Sequence, residues 1–180
     1  MLSVSDIENL WVKVFEEVEN NFPDYYNLIL ENSYTWEVVS KKSNNLGLCD
    51  HNKRLLTLNH YMHKNSSEEL IRDTMLHEVA HAIDFCQRGR SDHGVVWKAL
   101  ASELGATPAA CSKTAMDVEY KYVVVHKGEE GYRLLRGIHR KSNGYKINAC
   151  MEDRYLRGKP ETKGQIYLLS WDRWLEVKGE

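Results

Sequence analysis

The sequence predicts an α+β protein: helices around a small β-sheet, followed by a small antiparallel, ribbon-like β tail. Three observations carry this. Apolar residues recur at three-to-four spacing in three stretches before residue 105. Short strand-like runs lie between residues 34 and 58, and from Asp117 onward the chain changes to alternating Tyr- and Val-rich segments. At 180 residues, 42% hydrophobic and 28% charged, the chain is long enough for one ordinary core and too short to promise two independent enzymatic domains. A break near residue 116 divides it into a first domain, 1–116, and a tail, 117–180.

The elements follow in order. From Ser5 to Asn20, Ile7, Leu10, Trp11, Val14, Phe15 and Val18 mark one face of a packing helix stopped by Asn20–Asn21 and Pro23. Tyr34–Val39, Leu46–Cys49 and Leu55–Leu58 have strand character, and the turn-like Asp50–Lys53 between the last two predicts a hairpin. After Asn65, Ser66 and Glu69 have the spacing of a capping box, opening a helix that runs to about Cys86. Gln87–Asp92 is polar loop, and His93–Leu104 is a second amphipathic helix closed by Gly105 and followed by Pro108. The tail segments YKYVVV, YRLLRGI, YKINAC and QIYLLSW read as three or four antiparallel strands.

The formal charge of −2 excludes a bulk polycation, yet it hides a sign reversal. Residues 1–50 carry nine acidic and three basic side chains, whereas residues 132–163 carry nine basic and three acidic. In the basic tail Arg133, Arg136, Arg140, Lys141 and Lys146 are interleaved with Tyr132 and Tyr145, the composition of a phosphate-tracking surface with aromatic platforms for bases; an ordinary solvated sheet face has the same composition. No apolar run approaches the length of a membrane span. The acidic start lacks a basic leader and an apolar h-region, so the expected location is cytoplasmic, with the four dispersed cysteines as reduced thiols.

The chemistry concentrates in His77-Glu78-Val79-Ala80-His81. Histidines four apart are separated by about 400° of helical rotation, so both imidazoles leave one face a turn apart and can meet one metal ion. Glu78 points to one side of that clamp, where it can reach a water on the metal, while Val79 and Ala80 take the core-facing side. His93, separated from His81 by eleven residues across a loop, supplies a third ligand; three protein ligands and an open fourth position describe a catalytic zinc site. The expected cofactor is one Zn2+ per chain, with Glu78 as general base and amide hydrolysis as the reaction class. Asp84 could accept a hydrogen bond from the free nitrogen of a ligand histidine, or be an ordinary solvated carboxylate. His60 and His63 could line a cleft, although lone histidines in such a stretch are more often surface residues, while His51, His126 and His139 have no partner at ligand spacing.

These residues resemble a known family. The run LGLCDHNKRLLTLNHYMHKNSSEELIRDTMLHEVAHAI, followed by SDHGVVWKALASELG, is similar to the SprT-like family, which includes the Spartan proteases that cut proteins crosslinked to DNA. The resemblance covers about Leu46 to Gly105 and implies a compact zincin-like core, zinc on His77, His81 and His93, Glu78 as catalytic base, Trp97 packed below the site, and proteolysis linked to DNA. The expected partners are a protein substrate and single-stranded or damaged DNA. The tail departs from the family: its strand spacing resembles a zinc ribbon, but Val123–His126 stands where one CxxC pair would lie and Cys150 stands alone at the other, so a metal-free remnant ribbon is expected. The alternative is a non-proteolytic, zinc-containing DNA- or protein-binding module, since three histidines also close a local fold. Glu78 discriminates, because a purely structural site has no use for a carboxylate there.

Overall fold

In the computed structural model, which describes residues 1–109 and 120–178, the chain divides into two units, Met1–Val118 and Glu119–Glu180. The break expected near residue 116 lies outside the described residues, as does Cys111. In the first unit, helix α1 (Val4–Asn21) starts from a true capping box: Ser3 Oγ accepts from the Asp6 N–H at 3.1 Å, and the Ser3 N–H donates to the Asp6 carboxylate at 2.8 Å. It buries Ile7, Leu10, Trp11, Val14 and Val18, the stripe expected. Pro23 is a stop and also a start. It opens a second helix, α2 (Pro23–Glu31), because proline in a first turn forfeits no intrahelical bond. Ile29 is fully buried, and Phe22, Tyr25 and Tyr26 pack partly buried on the same core at three-to-four spacing, a stripe that the stop expected at Pro23 concealed.

Strands β1 (Thr35–Val39), β2 (Gly47–Asp50) and β3 (Leu55–Asn59) form a sheet ordered β1-β3-β2, with β3 parallel to β1 and antiparallel to β2. The β2–β3 hairpin turns where expected, with Asp50 Oδ1 accepting from the Asn52 and Lys53 N–H groups, both at 3.1 Å. The return from β1 to β2 hangs on one buried side chain. Asn59 accepts from the Lys41 N–H, and its amide nitrogen reaches the Lys41 and Asn45 carbonyls and Ser43 Oγ at 2.9–3.1 Å.

A short helix, α3 (His60–His63), leads to α4 (Glu68–Arg88). The cap of α4 is Ser67, one residue past the Ser66 expected: its Oγ accepts from the Leu70 N–H, whereas the Ser66 N–H still belongs to the preceding turn and donates to the His63 carbonyl. Gly89 ends the helix in the left-handed region, at φ 68°. Helix α5 (Val95–Glu103) begins after Gly94, so His93 stands in the loop before it and not in its first turn. Asp92 explains the delay, because its carboxylate takes the Gly94 N–H at 2.7 Å in an Asx turn. Helix α4 packs on α1, α2 and α5 and on β2 and β3, around a core that includes Trp11, Leu56, Leu58, Met75, Ile83 and Trp97.

The second unit holds the expected antiparallel strands: β4 (Tyr122–Gly128), β5 (Gly131–Ile138), β6 (Ala149–Cys150) and β7 (Ile166–Ser170), ordered β5-β4-β7-β6. Of YKINAC only Ala149–Cys150 is strand, and QIYLLSW ends at Ser170, whose hydroxyl accepts from the Arg173 N–H and starts an unexpected helix, α6 (Trp171–Val177). Both faces of the sheet are covered. Val123, Val125 and Leu169 pack with Trp174 and Val177 of α6, while Val124, Ile166 and Leu168 pack with Met151, Tyr145 and Leu156. A strand buried on both sides reads as the unbroken Val123–Val125 run. Among the described residues Cys49, Cys86 and Cys150 are free thiols, and no helix is long and apolar enough to cross a membrane.

His63 is fully buried on α3 with neither ring nitrogen in a well-formed hydrogen bond. Burial pushes its pKa down to about 4, against a smaller opposing pull from the Leu46 backbone. The folded chain therefore binds fewer protons here than the unfolded chain below its ordinary value of 6.5. Stability falls as the pH drops from 6.5 toward 4, by up to about 3 kcal/mol from this group alone. Urea melts at pH 7 and pH 4.5 should show a smaller acid loss for His63→Leu than for wild type; equal losses would show that His63 does not carry it.

Candidate metal centre

Helix α4 delivers His77 and His81 from one face a turn apart, and the loop after Gly89 brings His93 back over them. The Nε2 atoms of His81 and His93 are 3.1 Å apart, those of His93 and His77 3.2 Å, and one ligand atom from each of the three lies within 4.8 Å of the others. It is the one cluster of three potential metal ligands among the described residues. The spacing fits a divalent ion: four ligands at zinc–nitrogen distances define a tetrahedron with edges of about 3.3 Å. Burial, then the neighbouring imidazoles, hold His77 at about 4 and His81 at about 3, so both rings are neutral at pH 7, the form that ligates.

Trp97 is the floor of the site. Its indole, fully buried, meets all three imidazoles, with centroids 4.6 Å from His77, 4.9 Å from His81 and 4.5 Å from His93. His93 precedes Trp97 by four residues and leads straight into α5, so anchoring the indole in the core also anchors His93.

Glu78 turns into the protein between α4 and β2. It is 7% exposed; burial pushes its carboxyl up to about 8, with a hydrogen bond from the Cys49 backbone pulling the other way. The room for it comes from Gly47: a Cβ there would lie 2.8 Å from Glu78 Oε1, 2.9 Å from its Cγ and 3.1 Å from the Thr57 carbonyl. Gly47 was not singled out from the sequence, although a glycine inside a strand pattern is the usual sign of close approach.

Asp84 is fully buried and does not bond one of the three histidines directly, so it is neither the solvated carboxylate nor the direct partner that the sequence offered. Arg88 Nε and Nη2 donate to its two oxygens, both at 2.6 Å, and Ser91 stands between it and His81, with Ser91 Oγ 2.7 Å from His81 Nδ1. Burial works against the Asp84 carboxylate, yet the hydrogen bonds from Arg88 and Ser91 hold it below the usual carboxylate value. Ser91 carries no sequence signal, being one polar residue in a polar loop.

The other histidines serve packing and local bonds. His51 stacks on Phe85 at 4.2 Å with its Nδ1 near Tyr34 Oη, His60 Nε2 lies 3.0 Å from the Leu2 carbonyl, and His126 pairs with Gln165. In the tail, Arg133 and Arg136 are exposed on β5, while Arg140, Lys141 and Lys146 lie in the irregular segment that follows. Lys141 donates to the Tyr145 carbonyl at 3.1 Å. The two tyrosines read as platforms already carry cations of the same chain: Lys127 lies 5.3 Å from the Tyr132 centroid and Arg154 5.5 Å from that of Tyr145.

If Gly47 exists to admit Glu78, the two positions are coupled. Gly47→Ala should cost about 1–3 kcal/mol in chemical denaturation, and much less once Glu78→Ala has removed the obstructing side chain. Strictly additive losses in this double-mutant cycle would break the link.

Searches of the curated proteins and of the solved structures each return no significant match. The family model for the SprT-like family matches residues 13–117, more than half of the chain, including the helix and loop that build the histidine cluster. An α+β core of helices over a small sheet is consistent with the zincin-like architecture of that family. The chain belongs to the SprT-like family.

Proposed function

We propose that this protein is a zinc-dependent metallopeptidase that hydrolyses peptide bonds in DNA-associated proteins. The observation that carries the peptidase reading is the pairing of three convergent imidazoles with a buried carboxylate one residue from the first of them on the same helix. His77, His81 and His93 would hold the ion. A bound zinc supplies Lewis acidity, polarising a carbonyl and lowering the pKa of water toward neutrality. In its ionised form, which a cation on the three histidines would favour against burial, Glu78 would take a proton from the attacking water on a carboxylate oxygen and return it to the leaving amine. Gly47 and the Cys49 N–H hold that carboxylate against β2, and Trp97 keeps the three rings from turning away.

The link to DNA rests on family membership and on the basic tail, where Arg133, Arg136, Arg140, Lys141 and Lys146 would track phosphates. The covered faces of Tyr132 and Tyr145 favour backbone contact over base stacking. Two apolar layers packed on the tail sheet support reading it as a ribbon without metal, and the proposal takes one zinc per chain.

Cleavage of a DNA-binding protein, with and without single-stranded DNA, tests the enzyme. Glu78→Gln should lower turnover about 10²–10⁴-fold with zinc content intact, and a chelator should abolish wild-type activity until zinc is returned. Equal cutting by both proteins removes Glu78 as the base. No cutting by zinc-loaded wild type under any DNA condition favours the binding module. Separately, single-stranded DNA affinity should fall as salt rises and fall further in Arg133→Glu with Arg136→Glu; salt-independent binding excludes the electrostatic role.

A further inference from the structure

The loop between Gly89 and Gly94 contains the third ligand and almost no apolar anchor, so what fixes it decides whether the centre exists before metal arrives. The fixing group is Asp84. Its carboxylate receives Arg88 Nε and Nη2 at 2.6 Å each, the Ser91 hydroxyl and the Asp92 backbone N–H, while the Arg88 guanidinium also reaches Asp92 at 3.7 Å and Asp92 in turn takes the Gly94 N–H at 2.7 Å. Residues 91, 92 and 94 are thus tied, directly or through one partner, to a carboxylate rooted in α4.

The direction of these bonds has a further effect. An ionised carboxylate only accepts, so the Ser91 hydroxyl proton must point to Asp84. The Ser91 oxygen is then left to accept from His81 Nδ1, 2.7 Å away, which places the ring proton on Nδ1 and a bare lone pair on Nε2. That lone pair faces His93 Nε2 at 3.1 Å.

We propose that Asp84 is the positioning residue of this centre: through Ser91 it sets the His81 ring in its Nδ1–H tautomer, and through Ser91 and Asp92 it holds the loop that presents His93. The consequence for metal binding rests on the zinc reading above; the tautomer does not. A ligand imidazole oriented in this way binds metal without first turning or exchanging its proton, and loss of such an outer partner weakens affinity about 10–100-fold.

The test uses the full chain with Ser91→Ala, Ser91→Thr and Asp84→Asn. In metal-free protein, ring nitrogen–proton correlation spectra should show His81 protonated on Nδ1 in wild type and Ser91→Thr, and as a tautomer mixture in Ser91→Ala. Zinc affinity by chelator competition should fall about 10–100-fold in Ser91→Ala and Asp84→Asn and stay within about threefold in Ser91→Thr. Ser91 is only half-buried, so Ser91→Ala decides the matter even if Asp84→Asn does not fold. A wild-type His81 protonated on Nε2, or a Ser91→Ala protein with wild-type zinc affinity, overturns the proposal. Failure of the zinc reading looks different: wild type would bind zinc no better than His77→Ala with His81→Ala, while the metal-free spectra would still report the Nδ1–H ring and uphold the positioning.

Discussion

Helix α4 has protein against most of its sides, so each polar side chain that it turns inward must be met by a specific group. Thr74 closes on its own helix, donating to the Leu70 carbonyl at 2.9 Å. Glu78 is met by the Cys49 N–H across a gap opened by Gly47, and Asp84 by Arg88 and the returning loop. The last two satisfactions come from different parts of the chain. Burying α4 therefore dictates where β2 must approach and where the loop after Gly89 must fold back.

The histidine cluster is the exposed margin of the same arrangement. His77, His81 and His93 are only partly buried, and the side they turn to the protein is closed by a single indole. For His77 and His81 the loss of hydration outweighs the pull of Asp73 and Asp84, which favours their neutral form. Packing, protonation and ligand geometry are consequences of one placement. Trp97 fixes all three, because it sits one turn beyond His93 in α5 and beneath α4.

Much of this was legible in the sequence, for identifiable reasons. The HExxH pair has a spacing with only one geometric meaning on a helix, and α4 announced itself by periodicity and a serine cap, even though the cap proved to be Ser67 in place of Ser66. The β2–β3 hairpin had a turn of Asp and Asn between two apolar runs. What escaped depended on partners distant in the chain. Helix α2 starts on the proline that reads as a stop, the return that lets β1 pair parallel with β3 is bonded by Asn59 from beyond it in the chain, and α6 begins on a serine inside an apolar run. The tie between Asp84, Ser91 and His81 was half visible: the spacing nominated the carboxylate, but an intervening hydroxyl has no spacing rule.

Strand β5 ends its sheet, with no second strand beside it among the described residues, and its pairing with β4 shifts register between Val124 and Val125. An open edge with unsatisfied backbone groups is a template for another chain, and charge together with a bulge is how such edges are kept solitary. Arg133 and Arg136 lie on this edge strand. Like charge repeated along such an edge opposes its pairing with a second copy of itself, a role for these arginines that needs no ligand.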